Sequence, residues 1–240
     1  NQAVAAARMG ACVHLAARAG SDAFGDLIRR TLYASAVELA QLQRDDGPSG
    51  MSAAIVDKNG DYGAVIVSAA NLNLAADEIT IPEGTSVVLL QNEIPQAVNM
   101  AVAEKAKAAG ARVWLNAAPA RALPQGLVQC VDLLIVNRVE AIFYAQTGFA
   151  LDILTTLGSD GVRYQGRRYP ACAVRTRSTH GAGDMFAGAL AACYDKGRDM
   201  AEAIRFAQAA AALHVASGPE ERAALSPDQV VTFLKNQDSR

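Results

Sequence analysis

The segment Ser178-Thr179-His180-Gly181-Ala182-Gly183-Asp184 sets two glycines just before a carboxylate, and the apolar run Met185-Phe186-Ala187-Gly188-Ala189-Leu190 follows it. Glycine reaches backbone angles closed to other residues, so the N–H groups of Gly181, Ala182 and Gly183 could converge on one concave pocket. A helix starting beyond Asp184 would add unpaired first-turn N–H groups and the positive end of its dipole. Such a pocket suits a phosphoryl group, with the Asp184 carboxylate placed to take a proton from a hydroxyl. The same residues also read as a simple chain turn in which Asp184 caps the helix, and the stretch alone leaves both readings open. The glycines do not form a dinucleotide fingerprint, because Gly188 falls at the wrong offset. No Walker-type G-x-x-x-x-G-K-[ST] occurs in the chain.

The elements that would carry these groups alternate. Ser86 to Gln91 is a short apolar run expected of a strand buried on both faces, and a helix with Pro95 in its first turn runs on to Gly110. Arg112 to Asn116 is the next strand, Asp132 to Val136 another, and Arg138 to Thr147 a helix closed by Gly148. This alternation predicts a parallel sheet covered by helices, with ligands at the carboxyl ends of the strands. Asn92, Glu93, Asn116, Asn137 and Glu140 all fall there. Asn137 with Glu140 three residues on also reads as a capping pair. Thr155 to Val162 and Tyr164 to Tyr169 read as strands around glycine turns, and Met185 to Gly197 and Met200 to Ser217 as helices. Met51 to Val56 and Tyr62 to Ser68, joined through Asn59-Gly60, read as a hairpin. Its apolar face needs a partner, either substrate or a second subunit.

The 240 residues are 51% hydrophobic and 19% charged, enough for one large core with a small appendage. A net charge of -2 offers no basic field for nucleic acid or an anionic membrane. Small-molecule chemistry is the expectation. The four cysteines are scattered, without a C-x-x-C pair or a histidine at metal-ligand spacing, and read as small buried apolar residues of a reduced cytosol. Of the three histidines, His180 alone adjoins the candidate pocket; His14 and His214 read as packing or surface residues. No apolar run is long enough to span a bilayer and no signal peptide opens the sequence, so a soluble, cytoplasmic protein is expected.

Several short motifs in a fixed order resemble the ribokinase family of sugar and nucleoside kinases, also called the phosphofructokinase B family. They are Asn1-Gln2-Ala3 with the helix to Arg8, Gly20 to Gly25, Asn92-Glu93-Ile94-Pro95, Asn116-Ala117-Ala118-Pro119-Ala120, Asn137-Arg138-Val139-Glu140, Thr156 to Gly161, and Gly181-Ala182-Gly183-Asp184. The resemblance implies a three-layer α/β/α sandwich with a mostly parallel sheet and a small β lid. Residues 1–45 and 72–240 would form the kinase core, and 46–71 part of the lid. It further implies that the family's first strand and its sugar-gripping aspartate precede Asn1, and that the short stretch from Ala141 to Thr155 either reflects residues missing from the sequence as given, the favoured account, or is shortened in this member, which predicts a distorted sheet.

By the same resemblance Asp184 is the catalytic base, with Gly181, Ala182 and Gly183 as an anion hole, and Asn1, Glu93 and Asp184 hold the sugar. Asn116, Asn137, Thr156, Gly158, Ser159, Gly161, Gly183 and Gln208 line the nucleotide; for Gln208 packing accounts equally well. Asn137 and Glu140 organise Mg²⁺ through water. The implied activity is ATP-dependent phosphorylation of a pentose, ribose first, with another sugar, a nucleoside or a non-catalytic binding role as alternatives, in a homodimer paired through lid strands. Four positions depart from the pattern. Asn92 stands where leucine is common, Asp160 where a basic residue is frequent, and His180 replaces a small residue and either bonds phosphate or, the favoured reading, caps the turn. Ser178 replaces the aspartate of the family's monovalent-cation site, whose other side is the loop Gly218-Pro219-Glu220-Glu221-Arg222. Weak or absent K⁺ activation is therefore expected.

Overall fold

The computed structural model describes the backbone of residues 1–56 and 62–238. Its centre is a six-stranded sheet built from Val87–Gln91 (β5), Arg112–Asn116 (β6), Leu133–Val136 (β7), Ile153–Thr156 (β8), Val162–Tyr164 (β9) and Arg167–Tyr169 (β10). Strands β5 to β8 run parallel in sequence order, and β9 and β10 add antiparallel at one edge. All four residues of β7 are buried, and successive side chains enter opposite cores. Leu133 and Ile135 join one core with Trp114 and Leu154, while Leu134 and Val136 join the other with Val113 and Leu115. That alternation is why the run reads as continuously apolar.

Two helical layers cover these faces. Gln96–Ala108 (α3), Gln125–Cys130 (α4) and Arg138–Ala145 (α5) lie on the second core. Gln2–Arg8 (α1), Ala182–Asp195 (α6), Met200–Ala216 (α7) and Pro227–Asp238 (α9) lie on the first. Contact between α1 and α6 is intimate at Gly188. A Cβ there would fall 2.6 Å from the Gln2 carbonyl oxygen and 2.7 Å from the Ala5 Cβ, so only glycine fits.

Residues 9–45 contain elements that periodicity does not single out: Ala17–Ala19 (β1), Ala23–Ala34 (α2) and Leu42–Arg44 (β2). β1 and β2 pair parallel in a sheet of their own rather than in the main sheet. A cavity of about 330 Å³ lies between β5 and residues 11–16, on the side of β5 away from β6. The hairpin is present as Met51–Val56 (β3) and Tyr62–Val67 (β4), paired antiparallel from Met51↔Val67 to Val56↔Tyr62. Its turn at Asn59-Gly60 lies outside the described residues. Met51, Val65, Ile66 and Val67 are exposed. A short helix, Pro219–Ala223 (α8), follows α7.

Where a distorted sheet was the expectation for a truly short 141–155 stretch, β7 and β8 pair in regular register, with Leu134, Ile135 and Val136 opposite Ile153, Leu154 and Thr155. Cys12 is exposed, not buried, because it lies in the loop after α1. Among the described residues no helix is long and apolar enough to cross a membrane.

Candidate active site

Gly181 takes a left-handed φ of 76° and is the N-cap of α6, so the chain swings into the helix at Ala182. The helix therefore starts before Asp184 rather than beyond it. Asp184 is its third residue and not its cap. Gly181 is fixed from below as well, since a Cβ there would come within 3.1 Å of His214 Nε2. A Cβ on Gly183, by contrast, would meet nothing within 4 Å. No internal packing explains that glycine, and its bare backbone fits close approach by a ligand. The Ala182 N–H donates to the Thr179 carbonyl at 3.2 Å. Of the three N–H groups expected to converge, this one is turned into the loop, and Gly183 remains among the first-turn donors without an intrahelical acceptor.

Asp184 is held at both oxygens. Asn1 Nδ2 donates to Oδ2 and Gln2 Nε2 to Oδ1, each at 3.0 Å. Both amides stand at the start of α1, and the α1–α6 contact brings them to the carboxylate. Gln2 is a functional neighbour missed by motif reading, which assigned a role only to the adjacent Asn1. Across the site, burial and then the charge of Asp184 raise the Glu93 carboxyl above its ordinary range. Glu93 is exposed, and the influence of Asp184 on it sets the two acidic groups within electrostatic reach of each other. Asn1, Val4, Thr31, His180, Asp184 and Arg222 are among the residues around a cavity of about 220 Å³ here.

His214 belongs to this site, contrary to its reading as a packing or surface residue. Its Nε2 meets the His180 carbonyl oxygen at 3.0 Å, directly beneath the glycine turn. Burial is the main cause lowering its pKa, which favours the neutral ring. Its place is in the last turn of α7, opposite the glycine turn, which spacing alone does not reveal.

The carboxyl ends of β6, β7 and β8 form a ledge. Asn116 pairs with Ile135, Thr155 pairs with Val136, and the Thr156 hydroxyl donates to the Val136 carbonyl at 3.2 Å. Asn137 caps α5, its Oδ1 accepting from the N–H groups of Val139 and Glu140 at 2.9 Å. Glu140 Oε2 accepts from the Asn137 N–H at 2.7 Å, completing a capping box. Glu140 is buried, and that burial raises its pKa. Among the described residues no three His, Cys, Asp or Glu side chains converge as a metal cage. One anchored carboxylate at a strand end fits a Mg²⁺ ion carried mainly by phosphates and waters.

Next along the ledge, Gly158, Ser159 and Asp160 form a 3₁₀ turn. Asp160 pairs with Arg138 and Arg168, and Arg138 also donates to the Leu157 carbonyl, clamping the turn to the start of α5. Gly158 has φ 61° and open space where a Cβ would be. Gly161 differs, since a Cβ would collide with the Tyr169 carbonyl oxygen at 2.0 Å, so it is required by the fold itself. Gln208 is buried and donates to the Tyr169 and Pro170 carbonyls at 3.0 and 3.1 Å, bracing the end of β10.

The end of β5 and α5 are physically joined. Asn92 Nδ2 donates to the Pro119 carbonyl at 2.9 Å and to the Tyr144 hydroxyl at 3.1 Å. That hydroxyl donates to the Arg121 carbonyl at 2.9 Å. Tyr144 lies on α5, one turn beyond Glu140.

A carboxylate on the first turn of a helix, with polar residues at the carboxyl ends of parallel strands in the same fold, is an arrangement that an α/β phosphotransferase could use. The family described as pfkB family carbohydrate kinase matches residues 1–219. Ribokinase of Bacillus subtilis is 33% identical over 233 residues, covering 90% of this chain and 80% of its own length. The structure of Arabidopsis thaliana ribokinase complexed with ribose and ATP has a TM-score of 0.84 at 27% identity, with 98% of this chain and 85% of that one covered. That of Thermotoga maritima ribokinase has a TM-score of 0.83 at 25% identity over the same shares. The chain belongs to the pfkB family of carbohydrate kinases, and its class is that of ATP-dependent sugar kinases.

Proposed function

We propose that this protein transfers the γ-phosphoryl group of ATP to the primary hydroxyl of a pentose, D-ribose before others, yielding D-ribose 5-phosphate and ADP. The observation that carries the reading is the double anchoring of Asp184 by Asn1 and Gln2 at the start of α6. Asp184 takes the hydroxyl proton as that oxygen bonds to the γ-phosphorus and the bond to the ADP oxygen breaks. Gly183 and the α6 start offer N–H groups to the charge gathering on the transferring group. Asn1 and Glu93 orient the sugar. Asn116, Thr156, Gly158 and Ser159 receive the nucleotide, with Gly161 setting the turn. Glu140 and Asn137 would hold Mg²⁺ through water, and the ion would supply charge neutralisation for the phosphates.

A ribokinase at 33% identity supports ribose, and the acceptor groups of Glu93 and Asp184, close enough to influence each other, suit a ligand rich in hydroxyls. The exposed apolar residues of the hairpin support a homodimer in which a second copy covers β3 and β4. The test is ADP release over a panel of pentoses, hexoses and nucleosides. Ribose is expected to give the highest kcat/KM; a nucleoside or hexose ahead of it reassigns the substrate, and no turnover anywhere refutes the kinase reading. Light scattering reads the dimer, which a monomer at working concentration would refute.

A further inference from the structure

Resemblance places a monovalent cation between position 178 and the loop 218–222, yet the groups present there do not suit one. Arg222, on α8, donates from Nη2 to the Ser178 carbonyl at 2.9 Å and from Nε to the His214 carbonyl at 2.8 Å. Those two carbonyls flank the glycine turn from opposite sides, one in the chain entering it and one at the end of the helix beneath it. The Ser178 hydroxyl accepts from the His180 N–H at 3.3 Å and brings no charge. Arg8 Nη1 donates to the Arg222 carbonyl at 2.9 Å, and Arg177 pairs with Glu221 at 3.5 Å. A hard monovalent cation needs several free oxygens. Here the Ser178 carbonyl is already bonded to a guanidinium, and two further guanidinium groups stand close by.

We propose that the Arg222 guanidinium is a built-in cation that orders the turn from Ser178 to Gly181, so that the enzyme neither binds nor needs K⁺. Arg222 is then a positioning residue: it touches no reacting atom and acts through the two carbonyls that set the height of the glycine turn under Asp184. Arginine suits this role because its rigid fork reaches two acceptors at once and never loses its charge. The inference rests on the kinase reading for its catalytic consequence, but not for its cation-binding half.

Two sets of measurements test it. Thermal midpoint and ²⁰⁵Tl⁺ line width of the wild-type protein are recorded in potassium and in tetramethylammonium chloride at matched ionic strength. No K⁺-specific shift and no Tl⁺ broadening are expected. Sugar phosphorylation is then compared in the two salts, and rates should agree within about twofold. In Arg222→Gln, loss of two charge-assisted hydrogen bonds should lower kcat about 10- to 100-fold with the sugar KM little changed. Added methylguanidinium should restore part of it, and Arg222→Lys should fall between the two. K⁺-specific stabilisation, Tl⁺ binding, or strong K⁺ stimulation of the wild type would each overturn the proposal, as would a folded Arg222→Gln with wild-type kcat. Should Arg222→Gln not fold, Arg222→Lys and the wild-type salt series decide. Absence of turnover in every salt counts against the kinase reading instead, and the midpoint and Tl⁺ results still decide the cation.

Discussion

Asn92 and Tyr144 share a 3.1 Å hydrogen bond beneath the site, joining the end of β5 to the helix that carries Glu140. Both are buried, at 2% and 3% exposure. Tyr144→Phe leaves the Asn92 amide short of a partner and should cost about 1–3 kcal/mol in a urea melt. Asn92→Leu/Tyr144→Phe removes both polar partners and should be less destabilised than the sum of the single variants. Strict additivity would show that the pair does not act as a unit.

Asp184→Asn keeps the volume of the carboxylate but cannot accept the proton, and its single oxygen accepts from only one of the Asn1 and Gln2 amides unless the other turns over. Steady-state kcat for ribose should fall about 10²–10⁴-fold. Circular dichroism should match the wild type. Retention of wild-type kcat would remove Asp184 from the role of base.

Glu93 should impose a pH dependence on sugar binding. Its carboxyl is raised from 4.5 by burial and by Asp184, so it protonates at higher pH than an exposed glutamate. If the ionised form accepts the sugar hydroxyl, KM for the sugar rises as pH falls through that raised value, and Glu93→Gln abolishes the rise. The folded state takes up protons before the unfolded chain does, so Glu93 also makes stability decline as pH climbs from 4.5 through its raised value. A KM profile identical in wild type and Glu93→Gln would exclude the contact.

Asp22 works in the opposite direction. Hydrogen bonds from the hydroxyl and N–H of Ser49 and from the Gly25 N–H hold its carboxyl down to about 2 from 3.8. Its contribution is complete above 3.8 and is lost as pH falls toward about 2. Urea midpoints across that window should drop more steeply in wild type than in Asp22→Asn. Equal slopes would show that the tie between the start of α2 and Ser49 carries no stability.

Strands β5 to β7 were legible because each is a short apolar run between turn residues, and periodicity suffices for strands buried on both faces, whereas the stretch read as one strand from Thr155 to Val162 holds the end of β8, a 3₁₀ turn and the start of β9. The segments β1, α2 and β2 were not, since three-residue strands hold too few positions for a pattern and α2 exposes Phe24, Leu27 and Tyr33. Within the site, single-residue roles tied to a motif could be named, but side chains that act across the fold could not. Gln2, Tyr144, His214 and Arg222 reach the site from four helices, and their contacts depend on packing angles that no spacing encodes. Asp184 shows the intermediate case: its position beside the glycines was visible, whereas its place on the first turn depended on how far Gly181 bends the chain.

Gly188 lies one helical turn beyond Asp184, with the α1 backbone pressed against it. The absent side chain works as a gauge, setting how deep α1 seats and therefore where Asn1 and Gln2 meet the carboxylate. A single added methyl would push the two helices apart at a point that touches no substrate, and displacements of about 1 Å near reacting groups cost on the order of 10²-fold in rate. Substitution at this remote glycine thus reaches the pocket through the seating of α1.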